Sequence, residues 1–264
     1  MPTITLLARA YNDFQLRQID RNLSSTFEGL KVETKICGVT SRRWIQIAVS
    51  GEDENVVLHY LADRIGFCPE ALENVKKFSN TNGYVAGSNE NKGELYVDIG
   101  VFSPKIVDVT IPLRKLQAQL GDGRKISLKK FVEVFGFCEK LPLTIRILSV
   151  DKEKSRIEAE LSQKQQEQYR SWTKTLLDRL LILDASHDEI RLALKNTGFS
   201  RDVIGIEPLG ILEYAAVCKF GTDAAGLIPR IGRRISHAVF SVFKPRRVLE
   251  FLEETQAPID RLID

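Results

Sequence analysis

Residues 82–161 decide the fold. The stretch opens NGYVAGSNENKGELYVDIGVFSP (82–104) and closes LTIRILSVDKEKSRIEAEL (143–161). In its first part Leu95, Val97 and Ile99 alternate with Tyr96 and Asp98, and glycines break the run. In its last part Leu143-Ile145-Ile147 and Ile157-Ala159-Leu161 alternate on either side of a charged turn. Period-two patterning with glycine breaks predicts short, strongly twisted strands closing into a small barrel. Barrels of that outline commonly bind single-stranded nucleic acid.

Two short helices interrupt the barrel strands. IPLRKLQAQLG and SLKKFVEVFGFC have helical spacing, with Ser127 placed to cap the second and Gly136 to close it. Upstream, the order is strand, helix, strand, strand, helix. TITLLARA alternates, a helix runs from about Asn12 to Phe27 with Phe14, Ile19 and Leu23 on its apolar side, and LKVETKICGV and RRWIQIAVS form an antiparallel pair. Glu52, Asp53 and Glu54 fill the expected first turn of the next helix, and Gly66 ends it. KKFSNTNG (76–83) is a polar, turn-rich linker.

Downstream, QKQQEQYRSWTKTLLDRL predicts a polar connecting helix and LLILDA a strand. SHDEIRLALKNTG carries a capping box, Ser186 with Glu189, and Gly198 at its C-terminal cap. DVIGIEPLG and ILEYAAVCKFG predict two strands. From near Gly221, GTDAAGLIPRIGRRISHAVFSVF reads as one helix, with Ile231, Ile235, Val239 and Val242 at helical spacing, and a short helix follows in the tail. Gly-Phe recurs at Gly66-Phe67, Gly136-Phe137 and Gly198-Phe199, where a left-handed glycine and an apolar residue packing back form a helix stop. The expected fold class is α+β: two small α/β sandwich (ferredoxin-like) domains, 1–77 and 164–264, flanking a barrel over 78–163.

The closing strands carry a resemblance. ELYVDIG, DVTIPLRKL and IRILSVDKEKSRIEAELS follow in the order of the S-one RNA-binding domain, a five-stranded OB-fold barrel. The whole chain, through GVFSPKIVDVTIPLRKL and IEPLGILEYAAVCKFGTDAAGLIP, is similar to an uncharacterised archaeal protein family, which implies no activity. The S-one resemblance implies that Tyr96 stacks on a base and that Asp151 and Arg156 form the polar pair near the closing turn. Gly93 stands where a second aromatic is common and Pro112 where the family carries His, so the resemblance also admits a barrel turned toward protein or duplex RNA. Arg114 and Lys115, with Lys92, Lys105, Arg124, Lys125, Lys129 and Lys130, are the barrel's candidate phosphate contacts, although acidic residues nearly balance them.

Charge adds a second region. The 264 residues carry a net charge of only +3, and residues 1–77 balance ten basic against ten acidic side chains. Residues 213–247 hold Lys219, Arg230, Arg233, Arg234, Lys244, Arg246 and Arg247 against Glu213 and Asp223. Such a stretch attracts phosphate, and it serves equally as a solvated face neutralised by the acidic residues 248–264. On the expected helix Arg230, Arg233, Arg234 and His237 share one side as RNA-backbone contacts, and Gly221, Thr222 and Gly226 offer backbone N–H groups to an anion.

Nothing in the pattern points to a metal, a cofactor or a catalytic motif. Cys37, Cys68, Cys138 and Cys218, and His59, His187 and His237, lie far apart. No run approaches the roughly 18 apolar residues of a membrane helix, and MPTITLLARAYNDF lacks the features of a secretory signal. The expectation is a cytoplasmic, non-enzymatic RNA-binding protein whose partners are RNA or ribonucleoprotein and the transcription or translation factors around them. The first alternative is a protein-interaction module of that machinery; the second is a nucleotide- or RNA-directed enzyme, which would gather His237, Asp223 and Glu213 in one pocket.

Overall fold

Residues 3–254 are described by a computed structural model. The N-terminal part runs β1 (Thr3–Arg9), α1 (Asp13–Thr26), β2 (Val32–Val39), β3 (Trp44–Gly51) and α2 (Glu54–Arg64). Its antiparallel sheet has the order β1-β3-β2. Strand alternation puts Leu6, Ala8, Ile45, Ile47 and Val49 against Ile19 and Leu23 of α1 and Val57 and Leu61 of α2. Two details depart from the sequence reading. The α1 face that packs is Gln15-Ile19-Leu23, one position out of phase with Phe14, which stays 47% exposed. Strand β3 continues to Gly51, so α2 starts at Glu54 and only that acid falls in its first turn; Asp53 instead accepts the Lys31 N–H.

After α2 the chain runs back along β1, where Leu6 bridges Phe67 and Cys68 N–H donates to Thr5 O. A two-residue strand β4 (Glu70–Ala71) precedes β5 (Asn80–Asn89), so the second half of the expected linker is already barrel. The next strands are β6 (Glu94–Asp98), β7 (Val101–Ser103), which pairs with β4, and β8 (Val109–Pro112). Helices α3 (Leu113–Leu120) and α4 (Leu128–Phe135) lead to β9 (Pro142–Asp151) and β10 (Arg156–Leu161). The barrel is closed, in the order β10-β8-β6-β5-β9, and β9 pairs back with β10. Its pairings are antiparallel except β8 with β10, which is parallel. As the alternation requires, Leu95, Val97, Val109, Ile111, Ile145, Ile147, Ile157 and Ala159 fill the interior. Ser127 caps α4, and Gly136 stops it at φ 70, a conformation natural to glycine.

Helix α5 (Gln163–Thr175) connects to β11 (Arg179–Leu183), α6 (His187–Thr197), β12 (Val203–Pro208), β13 (Glu213–Cys218), α7 (Ala224–Ile231), β14 (Val239–Phe243) and α8 (Pro245–Glu254). The sheet order is β12-β13-β11-β14, all antiparallel. The expected long helix over 221–243 is therefore wrong. Helix α7 ends at Ile231, and AVFSVF supplies the edge strand β14. Its aromatic and β-branched alternation suits a strand, and the coincidental spacing of Ile231, Ile235, Val239 and Val242 imitated a helix.

Both faces of this sheet are covered. Leu180, Ile182, Ala216 and Cys218 pack on α6 and α7. Leu181, Leu183, Ala215 and Phe243 join the barrel core through Phe135, Tyr169 and Trp172. The whole is a mixed α+β architecture around a closed five-stranded barrel. Among the described residues no helix is long and apolar enough to cross a membrane, and no group of three or more His, Cys, Asp or Glu is placed to hold a metal.

Candidate nucleic-acid interface

On the outer barrel surface Tyr96 of β6 sits opposite Thr110 of β8, which sits opposite Glu158 of β10. The Tyr96 ring is half-buried and its hydroxyl donates to Glu94 Oε2 at 2.8 Å. Arg156 donates to the other Glu94 oxygen at 2.7 Å, so Glu94 ties Tyr96 and Arg156 together. Arg114 reaches Glu158 at 2.8 Å and Lys115 reaches Glu160 at 3.0 Å. Asp151 lies opposite Arg156 in the β9–β10 register, but its side chain accepts from Lys154 N–H in the turn rather than from Arg156. Each cation that the sequence assigned to this face through Arg114, Lys115 and Arg156 thus already holds a glutamate. The glutamates are mostly buried, so a phosphate approaching these cations competes with carboxylates already in place.

The second candidate surface lies around α7. Because that helix ends early, Arg230, Arg233, Arg234 and His237 do not form a helical stripe. Arg230 lies 4.8 Å over the Phe199 ring. Arg233 and Arg234 are exposed in the following turn and make no ion pair among the described residues. His237 approaches Glu189 at 3.6 Å. The proposed anion site at Gly221, Thr222 and Gly226 meets carboxylates instead. Asp223 accepts Ala225 N–H, Asp178 accepts Ala224 N–H, and Gly226 N–H goes to Asp223 O. Lys244 holds Asp223 at 2.6 Å and lowers its pKa, whereas burial raises that of Asp178.

One residue of this surface escaped the sequence reading. Phe220, taken there as the end of a strand, is 66% exposed at a turn closed by Thr222 N–H to Lys219 O, with the Arg246 guanidinium 5.5 Å from its ring. The available signal was Lys219-Phe220-Gly221, a cation and an aromatic directly before a turn glycine.

The DUF2110 central domain matches residues 79–173, and the DUF2110 C-terminal domain follows it over residues 177–243. Together the two matches span well over half of the sequence. The chain belongs to the DUF2110 family. No curated protein matches it. Among solved structures, it is similar to a chain of the crystal structure of the a/eIF2alpha–aDim2p–rRNA complex from Pyrococcus horikoshii OT3, with 12% identity and a TM-score of 0.26. That match covers 47% of this chain and 64% of the other.

In this DUF2110 chain a third polar site is internal, where the three sheets meet. Arg9 of β1 is ion-paired with Asp98 of β6, and its guanidinium lies over the rings of Trp44 (4.4 Å) and Tyr84 (5.0 Å). Asp98 also accepts from Arg42 at 2.9 Å, and Arg42 continues to Asp108 at 2.7 Å. Tyr84 donates to Glu213 Oε2 at 3.4 Å, and Leu212 N–H donates to the same oxygen at 3.2 Å. Glu213 is 0% exposed, and burial pushes its pKa up to about 8. A Cβ at Gly210 would lie 2.1 Å from Glu213 Oε2, so any larger residue there displaces that carboxylate. Lys140 pairs with Asp184 and lies 4.1 Å over the Tyr11 ring. A cleft of about 690 Å³ opens alongside, walled by Tyr84, Gly210, Tyr60 and Gln168 among others. Glu213, Asp223 and His237 do not converge: the first faces Tyr84, the second Lys244 and the third Glu189.

Proposed function

We propose that this chain binds RNA, without catalysing a reaction on it, as a cytoplasmic component of the transcription or translation machinery. The observation that carries the reading is the pair of arginine–aromatic contacts and the exposed arginines among residues 199–246. Phe220 stands exposed beside Arg246, Arg230 covers Phe199, and Arg233 and Arg234 face solvent. Planar guanidinium groups presented with aromatic rings suit an unstacked base and its flanking phosphates. The barrel supports the same reading. We take it for an S-one-like OB barrel, because its circuit β5-β6-β8-β10-β9, with β8 and β10 parallel, has the strand order of that fold, which binds oligonucleotides. The flanking sheets read as ferredoxin-like units, the C-terminal one in the order β-α-β-β-α-β. Three units, 1–77, 78–163 and 164–264, follow from this, and none needs a cofactor.

Charge reversal tests the reading. With Arg233→Glu and Arg234→Glu together, RNA affinity falls for all sequences alike. The slope of log affinity against log salt shrinks by about 1–2, because two phosphate contacts are lost. Both side chains are exposed, so the melting temperature stays near wild type. Absence of RNA binding by the wild-type chain at low salt defeats the reading.

A second reading has its own observation. On the β6–β8–β10 face Arg114, Lys115 and Arg156 already hold glutamates, which favours a barrel directed at protein. Retention of one protein partner after nuclease treatment, with no RNA affinity, would establish it. A nucleotide- or RNA-directed enzyme has no comparable support, since its three suggested groups lie apart.

A further inference from the structure

The barrel has a second outer surface, along the β5–β9 seam, and its chemistry is the reverse of the Tyr96 face. It begins at Phe78, two residues before β5. The Phe78 ring is 61% exposed, and its backbone is left-handed at φ 66, where a bulky side chain is disfavoured. The conformation is held because Phe78 N–H donates to Ile147 O at 2.9 Å and Ile147 N–H donates to Ser79 O at 2.9 Å, extending β9 past the end of β5. An exposed apolar ring and a strained backbone are two costs at one residue. A strained conformation kept by its surroundings points to a role for the side chain it presents.

The surroundings of Phe78 are cationic. Lys76 and Lys77 are exposed, and the Lys77 ammonium lies 4.8 Å from the ring. Arg146 of β9, also exposed, lies opposite Asn80. None of these three cations is ion-paired among the described residues. The nearby carboxylates are Glu73 in the preceding turn and Glu160, which faces Arg146 from β10 but holds Lys115. The row continues with amides and a hydroxyl: Asn80, Asn82 and Thr144, the last donating to Asn82 Oδ1 at 2.9 Å.

We propose that Phe78 is a stacking platform for an unpaired base, and that Lys76, Lys77 and Arg146 take the flanking phosphates of a single-stranded RNA crossing the β5–β9 seam. This rests on the RNA-binding reading and specifies its ligand as single-stranded. Phe78 stacks on any base because every base has a π face, and Asn80 and Asn82 offer amide groups to base edges. The glutamate-bound cations of the Tyr96 face make that face the poorer phosphate track.

The test uses the full chain and a fluorescein-labelled single-stranded RNA of about 15 nucleotides, the scale of an OB-type site. Phe78→Gly relieves the left-handed strain, so the melting temperature holds or rises, while affinity falls about 5- to 100-fold, the loss of one stacked base. Phe78→Tyr keeps the ring and keeps affinity near wild type. Lys76→Ala with Lys77→Ala flattens the salt dependence, which Phe78→Gly leaves unchanged. If the wild-type chain binds the RNA and Phe78→Gly binds it equally well, the site is overturned and the RNA reading stands. If Phe78→Gly loses stability and affinity together, the ring is structural and the site is overturned. If the wild-type chain binds no RNA, both fall.

Discussion

The N-terminal and C-terminal sheets share one plan and attach to the barrel with different balances of ionic and apolar contact. Both run β-α-β-β-α, and β1-β3-β2 matches β11-β13-β12 in order. The C-terminal sheet adds β14 beside β11. In the N-terminal sheet the slot beside β1 holds residues 66–68, the chain on its way into the barrel. At equivalent ends, Arg9 pairs in register with Trp44 and Leu183 with Glu213, and both ends meet at the internal junction. The N-terminal unit docks through ion pairs, Arg9 and Arg42 on Asp98 and Asp108, set beside a small apolar cluster in which Leu7 and Trp44 meet Tyr84. The C-terminal unit docks mainly through the larger apolar face of Leu181, Leu183, Ala215 and Phe243, with Asp184 on Lys140 and Glu213 on Tyr84 at its edge. Topology alone does not determine how a unit is held; the residues at its docking edge do.

The largest expected effect breaks the ionic attachment. Asp98→Ala leaves Arg9 buried without its partner and lowers unfolding free energy by about 3–5 kcal/mol in urea titration. Adding Arg9→Met recovers most of that loss, by replacing the buried, unpaired cation with apolar contact to Trp44 and Tyr84. Additive losses would show that the pair is not the junction.

Glu213 sharpens the comparison next. Its folded pKa of about 8 exceeds the ordinary 4.5, so the unfolded chain binds fewer protons between those values. The contribution is fully present below about pH 4.5 and is lost as pH rises toward 8, by roughly 3 kcal/mol between pH 5 and 8. Glu213→Gln removes that part of the slope. An unchanged profile, followed by thermal melting across the range, would mean that Glu213 does not titrate there.

The smallest effect compares two helix stops. Gly66 and Gly198 have φ of 90 and 81, but an added Cβ lies 2.9 Å from Leu7 Cδ1 at Gly66 and meets nothing within 4 Å at Gly198. Gly198→Ala therefore costs about 1 kcal/mol from backbone strain and Gly66→Ala about 2, with the crowding added. Equal losses would show that Leu7 yields freely.

Local chemistry made much of this fold legible. The capping box at Ser186 and Glu189, the Ser127 cap and the Gly136 stop are short-range rules written in adjacent residues, and the strands at 94–98 and 156–161 follow plain alternation. The helix read through Ile231 to Val242 failed because one spacing satisfied two periods, and the sheet edge beside β11 selected the strand. The internal junction was invisible for a different reason: Arg9 meets Asp98 across 89 residues and Tyr84 meets Glu213 across 129. Of the candidate interface, the arginines were legible from charge, whereas Phe220 and Phe78 required exposure to be seen.

The doubly covered C-terminal sheet sets a rule for dissecting the molecule. A fragment cut at residue 177, where the second family match begins, would carry Leu181, Leu183, Ala215 and Phe243 as a bare oily plane facing water. Such a piece is expected to clump on expression. Truncations that keep residues 79–254 in one chain retain the barrel as its cover, so solubility will track the cut site rather than the length removed.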